Sequence, residues 1–374
     1  MSSWGAATVA MTRQLNVIRV RPQDAVFKNL VESAFEFLER AISEIDDAPK
    51  FSTIHFAIAV ELFLKARLMR EHWSLIVDHP DKSSHRHFIE GRAHTVNPGQ
   101  AIRRLKEIAE VAISPTAQQA FDAVFDRRNQ MIHFVHGVVE PGKKAALLEA
   151  IALEQCRGWL HLEQLLADWT DHLAWVNARI ANVRRDMKRH NRFLKVRFEA
   201  LAAEIAAEKA QGTIFRKCRA CTFRAARQVR LTNHVAKLEC RVCDVRDMAF
   251  TIPCSNPSCG KPVRFTSYAG LPQECSKCQT AFAASDVSEA LDTEPVTTDN
   301  YVDVISINCA SCMGYHSVVQ HETIYVCTEC LDVQDDYGVC GFCAEGQMGG
   351  GDLAYSYQTG CEFCDGAAGW SRDD

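Results

Sequence analysis

The first half of the chain carries apolar residues at three- and four-residue intervals, the spacing of amphipathic helices. "DAVFKNLVESAFEFLERAISEI", from Asp24, predicts a first helix. "FSTIHFAIAVELFLKARLMREHWSLIV", from Phe51, is apolar nearly all round, so the second helix is expected at the centre of its domain. A polar loop with Pro80, Gly91 and Pro98 follows, and "PGQAIRRLKEIAEV" predicts a third helix starting at Pro98 and Gly99. A fourth spans "SPTAQQAFDAVFDRRNQMIHFVHG", with Ser114 as N-cap, Pro115 as first residue and Gly137 as stop. A fifth begins near Lys143 and runs to about Val176, and a sixth, highly charged, spans Ala178 to Ala210 and leads out of the domain.

At Gly212 the period changes. Short strand-like runs such as "MAFTIPC" and "HETIYVC" alternate with turns. "SDVSEALDTEPVTTDN", from Ser285, is acidic and turn-rich and reads as a linker. The expected fold is therefore an all-α N-terminal helical bundle followed by small β-hairpin ribbons, whose paired cysteines suit zinc and make them zinc ribbons. The boundaries implied are a helical domain at 1–176, a charged helical connector at 177–211, two ribbons at 212–284, an acidic linker at 285–302 and paired ribbons at 303–374.

The second half also holds nearly all the cysteines. Of 17, only Cys156 stands alone, in a helix, where it reads as a buried thiol. The rest form Cys218/Cys221, Cys240/Cys243, Cys254/Cys259, Cys275/Cys278, Cys309/Cys312, Cys327/Cys330, Cys340/Cys343 and Cys361/Cys364. Two intervening residues let a tight turn present both sulfurs to one ion, and two such turns complete a tetrahedral shell. Taken consecutively the pairs make four all-cysteine sites, hence about four structural zinc ions per chain. A cross-braced pairing of the last four pairs and an iron–sulfur ligation stay open at this point. Thiolates at all four positions leave no open site for zinc catalysis.

No apolar run approaches the roughly 18 residues of a membrane span, so no membrane partner is expected. The start, "MSSWGAATVAMTRQLNVIRVRP", lacks a basic end followed by an apolar core, which points to a cytoplasmic protein in a reducing compartment. The formal net charge of -5 conceals opposite blocks. Arg184 to Arg241 holds about 16 Lys or Arg against 5 Asp or Glu, whereas from Ala281 onward only Arg372 is basic, against 17 acids. The local field decides partners, so the basic block, with aromatics in "FRKCRACTFRAARQVR", predicts an RNA-facing surface; the helical part of it also reads as a plain solvated face.

Candidate chemistry in the helical half lies in "RRNQMIHFVH", from Arg127 to His136. Arg-x4-His is a weak spacing among 14 histidines, and Arg185 to His190 repeats it in a charged run. The first copy has Asn129 beside the arginine, apolar Met131, Ile132, Phe134 and Val135 around it, and a helix end just beyond. Asn129, His133 and His136 share one helix face, and His136 also suits the helix end as a capper. A histidine titrating near neutrality moves protons, and a guanidinium holds a phosphate through two hydrogen bonds. The loop residues His79, His85, His87 and His94 lack a compact ligand spacing.

On "RNQMIH" and on "AVELFLKARL" in the second helix, residues 20 to 176 resemble a HEPN domain, the all-helical ribonuclease fold of toxin–antitoxin, abortive-infection and CRISPR-associated systems. The resemblance implies a metal-independent endoribonuclease of toxin or phage-defence type, with Arg128 and His133 catalytic, Asn129 supporting and Glu61 orienting. It also implies a homodimer with a composite cleft, RNA as substrate, and an antitoxin or regulatory protein as a further partner. Arg127 is an alternative to Arg128, and Glu61–Lys65 reads equally as a plain i, i+4 helix pair. "CEFCDG", with "SYQTG" and "CGFC" before it, is similar to a zinc-ribbon tail on some bacterial HEPN-like proteins. The competing readings are a non-catalytic scaffold whose ribbons bind RNA or protein, and a zinc adaptor bound to DNA.

Overall fold

The computed structural model describes residues 22–133, 141–293, 299–300 and 304–370. The chain divides into two compact units, Met1–Val196 and Arg197–Asp374.

The first unit is helical. Helix α1 (Pro22–Glu44) and α2 (Pro49–Glu71) are joined by four residues and pack along one another. Val31, Phe35 and Leu38 of α1 and Phe56, Val60, Phe63 and Leu64 of α2 are fully buried between them. Phe35 and Phe63 meet edge to face at 5.0 Å, the arrangement the ring quadrupoles favour. After α3 (His85–Ile89), α4 (Pro98–Glu107) starts on a capping box in which Asn97 and Gln100 satisfy each other's backbone amides. Helix α5 (Pro115–His133) starts where Ser114 Oγ accepts the Ala117 amide at 3.1 Å. Helix α6 is Lys144–Asp168. The central position expected for the second helix is observed: α2 contacts α1, α4, α5 and α6. A buried polar chain also ties it in, because Gln155 of α6 donates to Ser52 Oγ and accepts from Thr53, while Ser52 donates to Ala41 O of α1.

The helical unit runs past the expected boundary at 176. The fifth helix stops at Asp168, and the turns through α7 (Thr170–Leu173) bury Trp169, Leu173 and Val176. Helix α8 (Asn177–Met187) then packs on α1, burying Ile180, Val183 and Met187, with Arg179 paired to Glu32 and Glu39. The charge that suggested a connector therefore covers an ordinary apolar stripe. The sixth expected helix is two, because the chain turns at Lys188–His190 before α9 (Asn191–Ala210). The division between units falls inside α9.

The second unit is rich in β-structure, in line with the helical-then-β layout. Strands β1 (Ile214–Arg216), β2 (Ala226–Arg230), β3 (Val235–Cys240), β4 (Arg246–Ile252) and β5 (Val263–Thr266) form one antiparallel sheet in sequence order. A short pair, β6 (Gln273–Glu274) and β7 (Ala281–Phe282), follows, then α10 (Ala284–Leu291). Strands β8 (Ile307–Cys309), β9 (Gly314–His321), β10 (Ile324–Cys327), β11 (Val333–Gln334), β12 (Gly338–Val339) and β13 (Gly346–Met348) make a second sheet, in which β13 joins β8 in parallel. Helices α11 (Ser356–Thr359) and α12 (Gly366–Trp370) close the described chain.

Part of the expected acidic linker is helix α10. Its Val287 and Leu291, one turn apart, are fully buried with Val235, Phe250, Phe282 and Val326. The acids of this run occupy the outward face of a helix whose inner stripe completes a core. Residues 294–298 and 301–302 of the expected linker lie outside the described residues. Among the described residues no helix is long and apolar enough to cross a membrane.

Candidate functional sites: four cysteine centres and an arginine–glutamate cluster

The cysteine pairs sit on a repeated turn. In the first, the Cys218 amide donates to Phe223 O, and the Thr222 amide donates back to Cys218 O. The same two bonds recur at Cys240 with Val245 and Asp244, at Cys275 with Thr280 and Gln279, at Cys327 with Asp332 and Leu331, and at Cys340 with Glu345 and Ala344. The residue after the second cysteine takes a left-handed backbone: Thr222, Asp244, Gln279, Leu331 and Ala344 all have positive φ. That reversal brings the chain back as the next strand and leaves both sulfurs on the inside of the turn.

The turns pair consecutively. Cys218, Cys221, Cys240 and Cys243 form one group; Cys254, Cys259, Cys275 and Cys278 a second; Cys309, Cys312, Cys327 and Cys330 a third; Cys340, Cys343, Cys361 and Cys364 a fourth. Within each group all four sulfurs lie within 4.8 Å of one another. Closest approaches are 3.5 Å for Cys218–Cys243, 3.6 Å for Cys254–Cys278, 3.7 Å for Cys312–Cys327 and 3.7 Å for Cys340–Cys364. A tetrahedral shell at Zn–S of about 2.3 Å has an edge of about 3.8 Å. A disulfide would need about 2.05 Å. Distances and donor set thus suit one four-coordinate ion such as zinc in each group. Gly360 shows how tightly the fourth is closed: at φ +79°, a Cβ there would meet Cys364 O at 1.8 Å. Cys156 joins no group; it is fully buried, and burial pushes its thiol up to about 12.

The second cluster lies in the helical unit. Glu61 of α2 is held on both sides: Lys65 Nζ donates to Oε1 at 2.6 Å, and Arg128 Nη1 of α5 donates to Oε2 at 3.0 Å. Lys65 is itself buried and also donates to Thr95 Oγ1 at 2.9 Å. Arg128 donates from Nε and Nη2 to Asn129 Oδ1 at 3.3 and 3.2 Å, with its guanidinium 5.7 Å from the Phe125 ring. The two neighbouring arginines differ. Arg127 forms a two-pronged pair with Glu154 of α6, at 2.8 and 3.0 Å, and that carboxylate raises the guanidinium above its ordinary range.

The structure thus brings together Glu61, Arg128 and Asn129. His133 is the last residue of α5, one turn beyond Asn129, and its side chain lies outside what is described, as does the whole of His136. The second Arg–His spacing is a packing feature: His190 contacts Asp46 at 2.8 Å, and Arg185 donates to Asn182. Sequence reasoning missed Thr95 and Glu154. Thr95 lies in a loop that no periodicity marks, whereas Glu154 is an acid on a helix face that only the tertiary packing brings to Arg127.

The basic block is less free than its count suggests. Arg197 pairs with Asp244, Arg219 with Asp247, Arg227 with Glu208, and Arg241 with Glu204 and Glu208. No family model matches this chain, and neither a curated protein nor a solved structure does.

Proposed function

We propose that this protein is a metal-independent endoribonuclease of toxin or phage-defence type, acting in the cytoplasm. The reading rests on one observation above all: of two adjacent arginines, Arg127 is committed to Glu154, while Arg128 is aimed by Glu61 of the central helix. A buried Lys65 behind Glu61 donates to the same carboxylate and holds it in place. The helical unit is then HEPN-like, with Glu61 as a positioning residue, Asn129 as support, and Arg128 and His133 as the catalytic residues.

His133 takes the proton of the ribose 2′-OH, and the oxygen attacks the adjacent phosphorus. Arg128 balances the charge that grows on the phosphoryl oxygens. The P–O5′ bond breaks, leaving a 2′,3′-cyclic phosphate and a 5′-oxygen that needs a proton. One motif supplies one histidine, so the acid is His133 of a second copy, which makes the active form a homodimer. The sixteen paired cysteines hold about four structural zinc ions in ribbon modules, whose contribution is folding free energy. The ribbons then serve to hold RNA or a regulatory partner such as an antitoxin.

A second reading has an observation of its own. Arg128 already makes hydrogen bonds to Glu61 and Asn129, as a purely structural arginine would. In that reading the helical unit is a non-catalytic scaffold. Purified protein on total RNA separates the two: wild type should yield 3′ ends bearing cyclic phosphate, and His133→Ala should yield none. Cleavage unchanged in His133→Ala, or ends of another kind, would reject the catalytic reading.

A further inference from the structure

The fourth cysteine centre carries aromatic residues at matching places. Its two turns read Cys340-Gly341-Phe342-Cys343 and Cys361-Glu362-Phe363-Cys364, so each presents a phenylalanine just before its second ligand. Each phenylalanine has a tyrosine beside it. Phe342 meets Tyr357 at 6.1 Å and 70°, and Phe363 meets Tyr315 at 6.4 Å. These rings are not core. Tyr315 is 59% exposed and Tyr357 60%, and the preceding Tyr355 is 78% exposed. Exposed aromatic rings with no core role, one pair at each turn of this centre, mark a contact surface; Tyr315, which comes from β9, also stacks on His316 at 3.9 Å.

Charge says what the contact is. From Ala281 to Ser371 the sequence contains no lysine or arginine, while Glu345, Asp352, Glu362 and Asp365 lie close to the rings in sequence. Glu345 accepts the Tyr315 hydroxyl at 2.6 Å, which sets a carboxylate against that ring. Elsewhere in this chain, an exposed ring takes a cation of its own: Arg219 sits 3.8 Å from the centre of Tyr268, itself 67% exposed. Among the described residues the cations placed over rings are Lys28, Arg70, Arg128, Arg179, Lys209 and Arg219, none of them on a ring of this face.

We propose that the aromatic and acidic face around the fourth cysteine centre, built on Tyr315, Phe342, Tyr357 and Phe363, docks a lysine- and arginine-rich segment of a second protein. Ring faces attract the cations, and the carboxylates around them supply the field that a polyanion such as RNA would be repelled by. The surface is independent of the ribonuclease reading, because it uses no residue of that cluster.

The test uses the full-length, metal-loaded protein and a fluorescent nona-arginine peptide followed by anisotropy. Binding to wild type is expected, weakening with salt. The double variant Tyr315→Ala/Tyr357→Ala should weaken it at least tenfold at unchanged metal content, while Tyr268→Ala should leave it unchanged. The pair Tyr315→Phe/Tyr357→Phe keeps the rings and should keep the binding, which guards against an alanine variant that misfolds. Three results would overturn the proposal. One is no binding by wild type. Another is equal binding by the alanine double variant, which would reduce the effect to bulk charge. The third is self-association of the protein alone in sedimentation that the double variant abolishes, since the face would then take a second copy of this chain.

Discussion

At the scale of single residues, the decisive contrast is between Arg127 and Arg128. They are adjacent on α5, yet the 100° turn between them sends one to Glu154 of α6 and the other to Glu61 of α2. The family resemblance put Glu61, Arg128 and Asn129 in one candidate site, with Arg127 as the alternative to Arg128, and the observed bonds join the first three. Nothing in the sequence hints at Thr95, because a loop hydroxyl thirty residues from Lys65 follows no repeat. Glu61 is the residue to disturb. Glu61→Gln keeps the shape but loses the charge that attracts both Lys65 and Arg128. RNA cleavage should fall about 10–100-fold, the range seen when a supporting group around a functional centre is removed. Stability should drop by about 1–3 kcal/mol, because Lys65 is left buried without its carboxylate. Unchanged cleavage with intact melting would show that the Glu61–Arg128 pair only braces two helices.

At the scale of elements, the helices were legible because their signals are local. Apolar spacing placed the starts of α1, α2, α4 and α5 within two residues, and Ser114 and Pro115 mark the start of α5 as expected; the expected stop at Gly137 lies outside the described residues. What escaped were breaks and boundaries. The turn at Lys188–His190 lies in an uninterrupted charged run, and it is fixed by distant acids: Asp46 holds both His190 and Arg192. Helix α10 was hidden because two buried residues among acids are too few to set a period. One close approach inside the bundle is also invisible to periodicity. A Cβ on Gly158 of α6 would stand 2.9 Å from the Phe56 ring and 3.2 Å from Val124. Phe56 is fully buried and cannot swing away. Gly158→Ala should therefore destabilise the helical unit by about 1–3 kcal/mol through overpacking, against the roughly 1 kcal/mol gain that alanine brings to a helix interior. Chemical denaturation of wild type and variant measures the balance. A stabilised variant would mean that α6 can draw back from α2 at no cost.

At the scale of the whole molecule, two kinds of stabilisation share one chain. The helical unit rests on a broad apolar core reaching from Phe27 to Val196. The second unit has smaller cores and four cysteine centres, where a bound metal would contribute folding free energy. The cysteine spacing made the turns legible because their geometry is local, but it left the pairing of the last four turns open; the fold groups them consecutively. A strong chelator should remove about four zinc per chain. It should also abolish protection of β1–β13 against amide exchange while α1, α2 and α5 stay protected. Loss of protection across both units together would contradict this division of labour. The charge blocks were legible only as totals: several cations of the basic block pair with acids of α9 and of the first sheet, which sequence counting cannot reveal.

The most direct measurement compares two variants of the adjacent arginines. Rates of RNA cleavage by Arg128→Ala and Arg127→Ala would be determined at matched zinc content and matched folded fraction. Arg128→Ala should lose at least a hundredfold, the scale of removing a group that stabilises transition-state charge. Arg127→Ala should keep cleavage within a fewfold of wild type, with the cost of the lost Glu154 pair appearing in stability alone. Equal losses in both variants, or cleavage surviving in Arg128→Ala, would contradict the assignment of Arg128 as the catalytic arginine.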